Sequence, residues 1–259
     1  MKFSIITCTY NSEIFLGKNT ESVLSQSFLD FEHIFIDGFS IDKTVEIIKG
    51  YQQRYPGKVK LFQLSPQGIS NAMNEGIRRS SGEYLIHLHS DDSFYDSEVL
   101  KDVNDFLSTN NFDWIYGKIN VIENDGQSVG VFPLRKVFQG KSSQIIKKYI
   151  YKFYNYIPHQ SVFIKRKVFD DFGGFDEKLS SAMDPDLWFR IINKTNWSFY
   201  DRVISNFCLR SGSQSANLKN KEKNMDNLQI VRKRYLSKIE NILANVFDYL
   251  VGKIKNNYR

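Results

Sequence analysis

At 259 residues the chain is long for one domain and short for two, so a single domain with an appendage is expected. Its 41% apolar and 25% charged residues exclude a largely disordered protein, and its net charge of +6 divides into −7 for residues 1–134 and +13 for the remainder. Two cysteines far apart argue against a disulfide framework, and no apolar run approaches the roughly 18 residues that cross a membrane.

The first half of the chain alternates predicted strands with predicted helices. The strands are Lys2–Thr9, Glu32–Ile36, Val59–Leu64 and Glu83–His89, and the helices between them are Phe15–Ser27, Thr44–Tyr55 and Ile69–Arg79. This alternation predicts right-handed βαβ units and a largely parallel sheet. Because ligands of such sheets bind beyond the carboxyl ends of the strands, the candidate site residues are the polar ones that follow the strands. They are Thr9, Tyr10, Asn11, Asp37, Ser90, Asp91 and Asp92.

The second half departs from this alternation. A helix near Ser97–Leu107 precedes two strands, Trp114–Val121 and Val129–Phe132, which a turn at Asp125 and Gly126 joins in antiparallel fashion. A short strand follows at Ser161–Ile164. Further on, Asp184 and Pro185 are predicted to open a helix as N-cap and first helical residue. Residues from about 219 onward predict two helices.

The acidic pair Asp91 and Asp92 suits a hard divalent cation. Mg²⁺ and Mn²⁺ use one or two carboxylates while ligand phosphates complete their coordination. Taken alone the pair is also typical of an ordinary turn or helix cap. No glycine-rich dinucleotide loop, Walker loop, zinc peptidase motif or serine hydrolase elbow occurs, which argues against those enzyme classes.

Several segments in a fixed order resemble glycosyltransferase family 2, the inverting GT-A enzymes, and most of all the bacterial branch that builds O-antigen, capsule and other surface polysaccharides. The resemblance covers residues 1–212. The segments are Ser4–Asn11, Ile36–Thr44, Gly68–Gly76, Gly82–Asp92, His159–Phe163, Phe172–Glu177 and Met183–Trp188.

This resemblance implies roles for individual residues of the donor site. A nucleotide-binding loop would be formed by Thr9, Tyr10 and Asn11, and Asp37 would accept a hydrogen bond from uracil N3. The same pocket would be lined by Gly68 and Asn71. The acid that binds the metal would be Asp91, flanked by Ser90 and Asp92.

The resemblance also implies a catalytic aspartate and an acceptor side. The base position falls on Asp184, and His159 with Gln160 would border the sugar or acceptor site. Met183 replaces the glutamate of the usual Glu-Asp pair, so the motif leaves Asp184 and Asp186 both open as the base.

Two further departures from the family pattern concern the donor site. His89 replaces the first acid of the metal motif, which makes it a candidate metal ligand, either directly or through a water. Phe39 replaces a frequent glycine in the turn after Asp37.

The implied protein has a GT-A fold, a mixed and mainly parallel Rossmann-like sheet flanked by helices, over residues 1–212. A helical extension occupies 213–259. The implied reaction transfers a sugar, with inversion, from UDP-hexose or UDP-N-acetylhexosamine to a hydroxyl of a glycan or polyprenyl-diphosphate-linked acceptor, with Mn²⁺ or Mg²⁺ as cofactor. A catalytically inactive nucleotide-sugar-binding scaffold is the alternative that His89 and Met183 leave open.

The C-terminal part predicts an amphipathic helix. Its apolar positions share one face and are Ile239, Ile242, Leu243, Val246, Phe247, Leu250, Val251 and Ile254, while residues 135–169 add nine basic residues and no acid. Peripheral contact with the inner face of the cell membrane, packing in a homo-oligomer and packing on the catalytic domain all remain open. We expect a cytoplasmic protein, because the N-terminus lacks the apolar segment of a signal peptide. Nucleic acid is not an expected partner, since no recognised module accompanies the basic segment.

Overall fold

The structure is a computed structural model that describes residues 1–123, 126–133, 144–209 and 221–257. Three features predicted from the sequence lie wholly or partly outside these residues. They are Asp125 of the predicted turn, the domain boundary between 212 and 213, and the basic stretch 135–143.

Strands and helices follow one another along the described chain. The strands are β1 (Phe3–Thr9), β2 (Phe31–Asp37), β3 (Val59–Gln63), β4 (Tyr84–His87), β5 (Ser93–Phe94), β6 (Trp114–Ile122), β7 (Ser128–Phe132), β8 (Val162–Lys165) and β9 (Trp197–Cys208). The helices are α1 (Glu13–Leu24), α2 (Thr44–Arg54), α3 (Ile69–Arg79), α4 (Val99–Ser108), α5 (Gln144–Tyr151), α6 (Arg166–Phe172), α7 (Met183–Ile191), α8 (Lys221–Tyr235) and α9 (Lys238–Asn257).

Within the described residues the strands form one sheet in the order β3-β2-β1-β4-β8-β6-β9-β5, with β7 paired to β6. Strands β3, β2, β1 and β4 run parallel to one another, whereas β8 runs antiparallel to both β4 and β6. The order reverses at β1, because β2 lies on one side of it and β4 on the other. Such a switch point opens a crevice at the carboxyl ends of β1 and β4, where α/β proteins bind ligands.

Apolar cores cover both faces of the sheet. Successive side chains of a strand point to opposite faces, and Ile5 and Ile6 of β1 accordingly pack in two different clusters. The larger cluster contains the stacked indoles of Trp114, Trp188 and Trp197, with ring centroids 5.4 Å and 5.0 Å from that of Trp114. Burial on both faces explains why β1 and β2 are almost continuous apolar runs.

The predicted strands and helices of the first half are confirmed, with differences of a few residues at their ends. The predicted helix Ile69–Arg79 matches α3. The strand predicted to reach His89 ends at His87, so His89 lies in the loop that follows β4. Helices α8 and α9 confirm the two predicted C-terminal helices.

The predicted start of α7 is wrong. The helix begins at Met183 with Ala182 as its N-cap, so Asp184 is not the cap and Pro185 is not the first helical residue. The left-handed conformation of Ala182, with φ of 59°, turns the chain into the helix two residues earlier than predicted. Pro185 still lies in the first turn, where backbone N–H groups have no partner inside the helix and the missing proton costs nothing.

Strand β9 (Trp197–Cys208) was not predicted from the sequence. It pairs in parallel with β6 and in antiparallel fashion with β5, and its middle is interrupted by the charged residues Asp201 and Arg202. These charges interrupt the apolar pattern by which a strand is recognised in the sequence. In the structure both of them form ion pairs. Lys118 holds Asp201 at 2.7 Å, and Asp96 and Asp102 hold Arg202 at 2.6 Å and 2.8 Å.

The close approach of the chain before β4 to β1 predicts a strict requirement for glycine at position 82. A Cβ atom at Gly82 would lie 2.6 Å from the backbone nitrogen of Ser4, so Gly82→Ala should lower the free energy of unfolding by about 1 to 3 kcal/mol. In α2 the control Gly50→Ala meets nothing within 4 Å and should raise it by about 0.5 to 1 kcal/mol. Urea denaturation measures both, and equal effects would contradict the close packing.

Candidate active site

The loops after β1 and β2 meet around the buried carboxylate of Asp37. Its oxygens accept hydrogen bonds from the Thr9 hydroxyl at 3.0 Å, from the Ser40 backbone at 3.0 Å and hydroxyl at 2.5 Å, and from the Gln63 amide at 3.2 Å. A carboxylate has about four acceptor positions. All of them are engaged here, so a nucleobase that binds Asp37 has to displace one of these donors. Gln63 is the most exposed donor and its bond is the longest.

Two residues of these loops adopt the left-handed backbone conformation. Asn11 has φ of 49° and Phe39 has φ of 57°. Asn11 ties the loops together, because its backbone N–H donates to the Ser40 hydroxyl and its side-chain oxygen accepts from the Ile41 backbone. The conformation of Phe39 is one that glycine adopts without steric cost, which explains in physical terms why glycine suits this turn. Tyr10, at 63% exposure, leaves its ring open to solvent beside these loops.

Gly68 and Asn71 belong to α3 and its N-terminus. Gly68 precedes the helix with φ of 95° and has open space where a side chain would be. Asn71 donates its amide to Glu177 at 3.1 Å, and Asn74 donates to the same carboxylate at 2.8 Å. Asn71 is therefore engaged with the segment before α7. Glu177 was not singled out from the sequence, although it lies in a family-like segment.

Asn19 of α1 holds the loop from His89 to Asp92 through two hydrogen bonds. The Asn19 amide donates to the backbone oxygens of His89 and Asp92 at 2.9 Å and 3.0 Å. The Asp92 side chain points inward, where it is 2% exposed and accepts the Cys208 N–H at 3.2 Å. Asp91 between them is more exposed than Asp92. The two carboxylates therefore have different surroundings. That of Asp92 fixes the loop, and that of Asp91 lies at the surface of the crevice.

Three histidines pack together behind this loop. The ring of His159 lies 5.6 Å from that of His87, 5.7 Å from that of His89 and 6.3 Å from that of Trp188 on α7. Burial, together with the two neighbouring imidazoles, holds the pKa of His159 well below its usual value, so the ring is neutral. Neither of its ring nitrogens has a hydrogen-bond partner within the described residues. The stack joins the loop after β4 to the helix that carries Asp184.

Gln160 and Ser90, both predicted at the site, make contacts that hold the local backbone. The backbone oxygen of Gln160 accepts the Ser205 hydroxyl at 3.0 Å. The Ser90 hydroxyl donates to that of Ser12 at 3.2 Å. Ser90 lies in the loop that follows β4, and Gln160 lies in the short helical turn just before β8.

The described residues contain no group of three or more His, Cys, Asp or Glu side chains arranged to hold a metal ion. A cation of the Mg²⁺ type needs only one or two protein carboxylates, because waters and substrate phosphates complete its coordination. Asp91, the predicted metal ligand, would supply one of them, and His89 lies two residues from it. Burial lowers the pKa of His89 while the negative charge of Asp91 raises it, with burial the larger effect. A neutral imidazole is the form that a metal or its bound water can use.

On α7 the two candidate bases, Asp184 and Asp186, have different surroundings. Asp186 is 2% exposed and accepts from Arg190 at 3.0 Å, from Arg234 of α8 at 3.0 Å and from the Tyr235 hydroxyl at 3.1 Å. Two guanidinium groups therefore stabilise its charge. Three donors already engage its oxygens.

Asp184 has the properties of a general base. Burial raises its pKa to about 6, an effect that hydrogen bonds from the Asn155 side chain and its own backbone partly offset. A carboxylate with a pKa near the working pH accepts a proton more readily than an ordinary aspartate while still being ionised at pH 7. Asn155 is a further residue of this site that the sequence did not reveal.

The family model for glycosyl transferase family 2 matches residues 4–173. The chain belongs to glycosyltransferase family 2. A PGL/p-HBAD biosynthesis glycosyltransferase of Mycobacterium bovis is 27% identical over 205 residues, which cover 79% of this chain and 70% of that protein. The poly(ribitol-phosphate) beta-N-acetylglucosaminyltransferase TarS of Staphylococcus aureus is 29% identical over 134 residues, 51% of this chain and 23% of that protein. The chain is thus a nucleotide-sugar-dependent glycosyltransferase of glycan biosynthesis, as the sequence predicted.

Solved structures confirm the fold. The crystal structure of S. aureus TarS in complex with UDP-GlcNAc has a TM-score of 0.72 and 24% identity, and the match covers 89% of this chain and 65% of that one. A mannosyltransferase from Pyrobaculum calidifontis, in complex with GDP-Man and Mn²⁺, has a TM-score of 0.61 and 13% identity over 95% of this chain and 64% of that one. The chain therefore spans slightly less than two thirds of these structures. The GT-A expectation is confirmed.

The ion pairs of Asp186 predict a structural role for that residue. Asp186→Asn removes a buried charge shared by two arginines and should lower the free energy of unfolding by up to about 3 kcal/mol. Asp176 contacts the same Arg234 at 2.7 Å but is more exposed, so Asp176→Asn is the matched control and should cost less than about 1 kcal/mol. Guanidinium denaturation compares them, and an unchanged midpoint for Asp186→Asn would contradict the assignment.

Proposed function

We propose that the enzyme is an inverting transferase that uses a UDP-sugar and a divalent cation, with Asp184 as the general base. The observation that carries this proposal is the contrast on α7 between Asp184, whose pKa is raised to about 6, and Asp186, which two arginines engage. One helix thus carries a carboxylate with a raised pKa, Asp184, and an ion-paired carboxylate, Asp186. The family position of Asp184 agrees with this choice.

The proposed step is a direct displacement at the anomeric carbon. The acceptor hydroxyl gives its proton to the Asp184 carboxylate as its oxygen forms the new bond to that carbon. The bond from the same carbon to the phosphate oxygen breaks, and its electron pair leaves with UDP, so the configuration inverts. When bound, the divalent cation supplies charge neutralisation for the departing diphosphate. Asp91, with His89 directly or through a water, would hold it.

Support for uracil as the base comes from the loop geometry around Asp37. An imide N–H of uracil matches the donors that this carboxylate already binds, and Gln63 is the donor that can give way with least cost. The hydrogen bonds of Thr9, Asn11 and Ser40 keep the loop in place when Gln63 leaves the Asp37 carboxylate. The structure of TarS, a relative in fold, was solved with UDP-GlcNAc and with UDP, which favours a UDP-sugar.

Asp184→Asn tests the base. The change keeps shape and hydrogen bonding to Asn155 but removes the proton acceptor, so transfer should fall by about a hundred- to ten-thousand-fold while UDP affinity is preserved. The wild-type rate should fall as the pH drops through about 6, where Asp184 becomes protonated, and the variant should lack this limb. A panel of UDP-sugars with released UDP as the readout measures both. Retention of most activity in Asp184→Asn would refute the assignment.

The variant Asp91→Ala separates nucleotide binding from catalysis. Calorimetry with UDP and Mn²⁺ should show a strong loss of affinity in this variant and none in Asp184→Asn. An inactive nucleotide-sugar-binding scaffold, the rival function, would bind UDP and release none from any donor, and that result would replace the proposed reaction.

We further propose that α9 attaches the enzyme peripherally to an anionic membrane that carries its lipid-linked acceptor. Along one face of the helix Ile239, Ile242, Leu243 and Val246 are each at least 50% exposed, with Phe247 at 40%. The two acids of its described part, Glu240 and Asp248, are ion-paired with Lys152 and Arg232, so they do not oppose an anionic surface. No helix of the described residues is long and apolar enough to cross a membrane. An amphipathic helix instead lies in the interface plane.

Vesicle flotation tests this attachment. The wild type should float with vesicles that contain phosphatidylglycerol, and the double variant Ile242→Asp, Val246→Asp should bind them at least about tenfold less, because two apolar side chains no longer enter the lipid. Met225→Asp on α8 adds an acid at an exposed apolar position off this face and should leave flotation unchanged. Equal flotation of all three proteins would refute the proposal. A wild-type dimer that the double variant dissociates would assign the face to a second copy.

A further inference from the structure

Helix α7, which carries both candidate bases, begins at an unfavourable N-cap. The N-cap residue Ala182 adopts the left-handed conformation, with φ of 59° and ψ of 18°. This conformation is unfavourable for any residue with a Cβ atom, because that atom comes too close to the following carbonyl oxygen. Ala182 also lacks the side-chain oxygen that normally accepts a hydrogen bond from the first turn of a helix. Such strained conformations persist only where the surrounding structure holds them.

The turn before α7 is held by α8 of the C-terminal part. The side-chain amide of Asn227 on α8 donates hydrogen bonds to the hydroxyls of Ser180 and Ser181, at 3.0 Å and 2.9 Å. These two serines directly precede Ala182. Asn227 is only 9% exposed, so water competes little for its hydrogen bonds.

Further contacts fasten the chain to α8 on both sides of this turn. Arg234 contacts Asp176 at 2.7 Å before the turn and Asp186 at 3.0 Å after it. The Tyr235 hydroxyl donates to Asp186 at 3.1 Å. Polar side chains before, within and after the strained turn therefore contact the same helix.

Asp184 lies two residues after Ala182, in the first turn of α7, and its partner is the Asn155 side chain rather than a residue of α8. Burial raises the pKa of Asp184 to about 6. The nearby Tyr151 hydroxyl stays neutral, because burial and the charge of Asp184 raise its pKa well above the usual value. The position and the burial of Asp184 thus depend on where α7 begins, which the conformation of Ala182 sets.

We propose that Asn227 is a positioning residue of the reaction, which holds the strained turn at Ala182 and thereby fixes Asp184 at the start of α7. The inference rests on the proposed function, since it needs Asp184 to be the base. It gives the C-terminal helix α8 a part in catalysis, because Asn227 acts through the turn. The proposed nucleotide contacts, all within residues 9–92, do not depend on it.

The variant Asn227→Ala tests the proposal through the rate and its pH dependence. The assay measures UDP released from UDP-N-acetylglucosamine or UDP-glucose with Mn²⁺, with water as the acceptor. Loss of the two hydrogen bonds should lower kcat by about ten- to hundredfold, because small displacements of a catalytic group cost that much, and should leave the donor KM unchanged. A less buried Asp184 should move the acid limb of kcat/KM from a pH of about 6 toward about 4, the ordinary pKa of an aspartate.

Gln229→Ala is the matched control on the same helix, because the Gln229 amide donates instead to Asn245 of α9 at 2.6 Å. Both single variants should lower the urea midpoint, but only Asn227→Ala should shift the acid limb. The double variant Asn227→Ala, Ala182→Gly should regain about two- to fivefold in kcat, because glycine adopts the left-handed conformation without steric cost.

If Asn227→Ala does not fold, the double variant Ser180→Ala, Ser181→Ala removes the same two hydrogen bonds from the other side and should shift the limb in the same direction. An unchanged kcat with an unshifted acid limb would overturn the inference. So would an equal shift in Gln229→Ala, or a glycine double variant that is no faster than Asn227→Ala. Failure of the proposed function has a different signature, because the wild type would then lack an acid limb near pH 6, or Asp184→Asn would keep both the limb and the rate.

Discussion

The buried ion pairs of Asp186 are the interaction on which the arrangement of the catalytic half depends. A carboxylate that is almost completely buried is stable only with its cations in place. Arg190 supplies one of them from the next turn of α7, and Arg234 of α8 supplies the other, so the second ion pair joins α7 to α8. Side chains two positions apart on a helix differ by about 200° around its axis. Asp184 therefore faces away from these arginines, toward Asn155 and the crevice. One short motif thus carries an ion-paired anchor and the proposed base, because the two side chains leave the helix in different directions.

In residues 9–92, which carry the proposed donor site, some carboxylates likewise stabilise the backbone while others face the crevice. Asp37 and Asp92 organise the backbone of their loops through hydrogen bonds from neighbouring segments. The histidine stack then connects this half to α7. Because burial keeps His159 neutral, the rings pack without the repulsion that charged imidazoles would introduce. The two halves of the site are joined by an uncharged contact.

The sequence predicted the parallel half of the sheet well, because β1, β2 and β4 are short apolar runs that end in polar residues. The roles predicted for Asp91 and Asp184 stay predictions. What the sequence did not reveal depends on contacts between distant segments. Arg190 follows Asp186 at helical spacing and was accessible to a pattern argument, but Arg234 is 48 positions away, and Asn19 reaches the metal loop from another helix. Met183 left the choice of base open in the sequence, and the different partners of the two aspartates are the basis of the choice proposed above.

The order of the strands has a consequence for how such enzymes diversify. Every proposed nucleotide contact comes from residues 9–92, and both candidate bases lie on α7 (Met183–Ile191), with the antiparallel pairing of β4 and β8 between the two in the sheet. Each of these parts is a contiguous stretch of chain. A single crossover by recombination between them would therefore replace the segment that carries the proposed base and leave the nucleotide loops untouched.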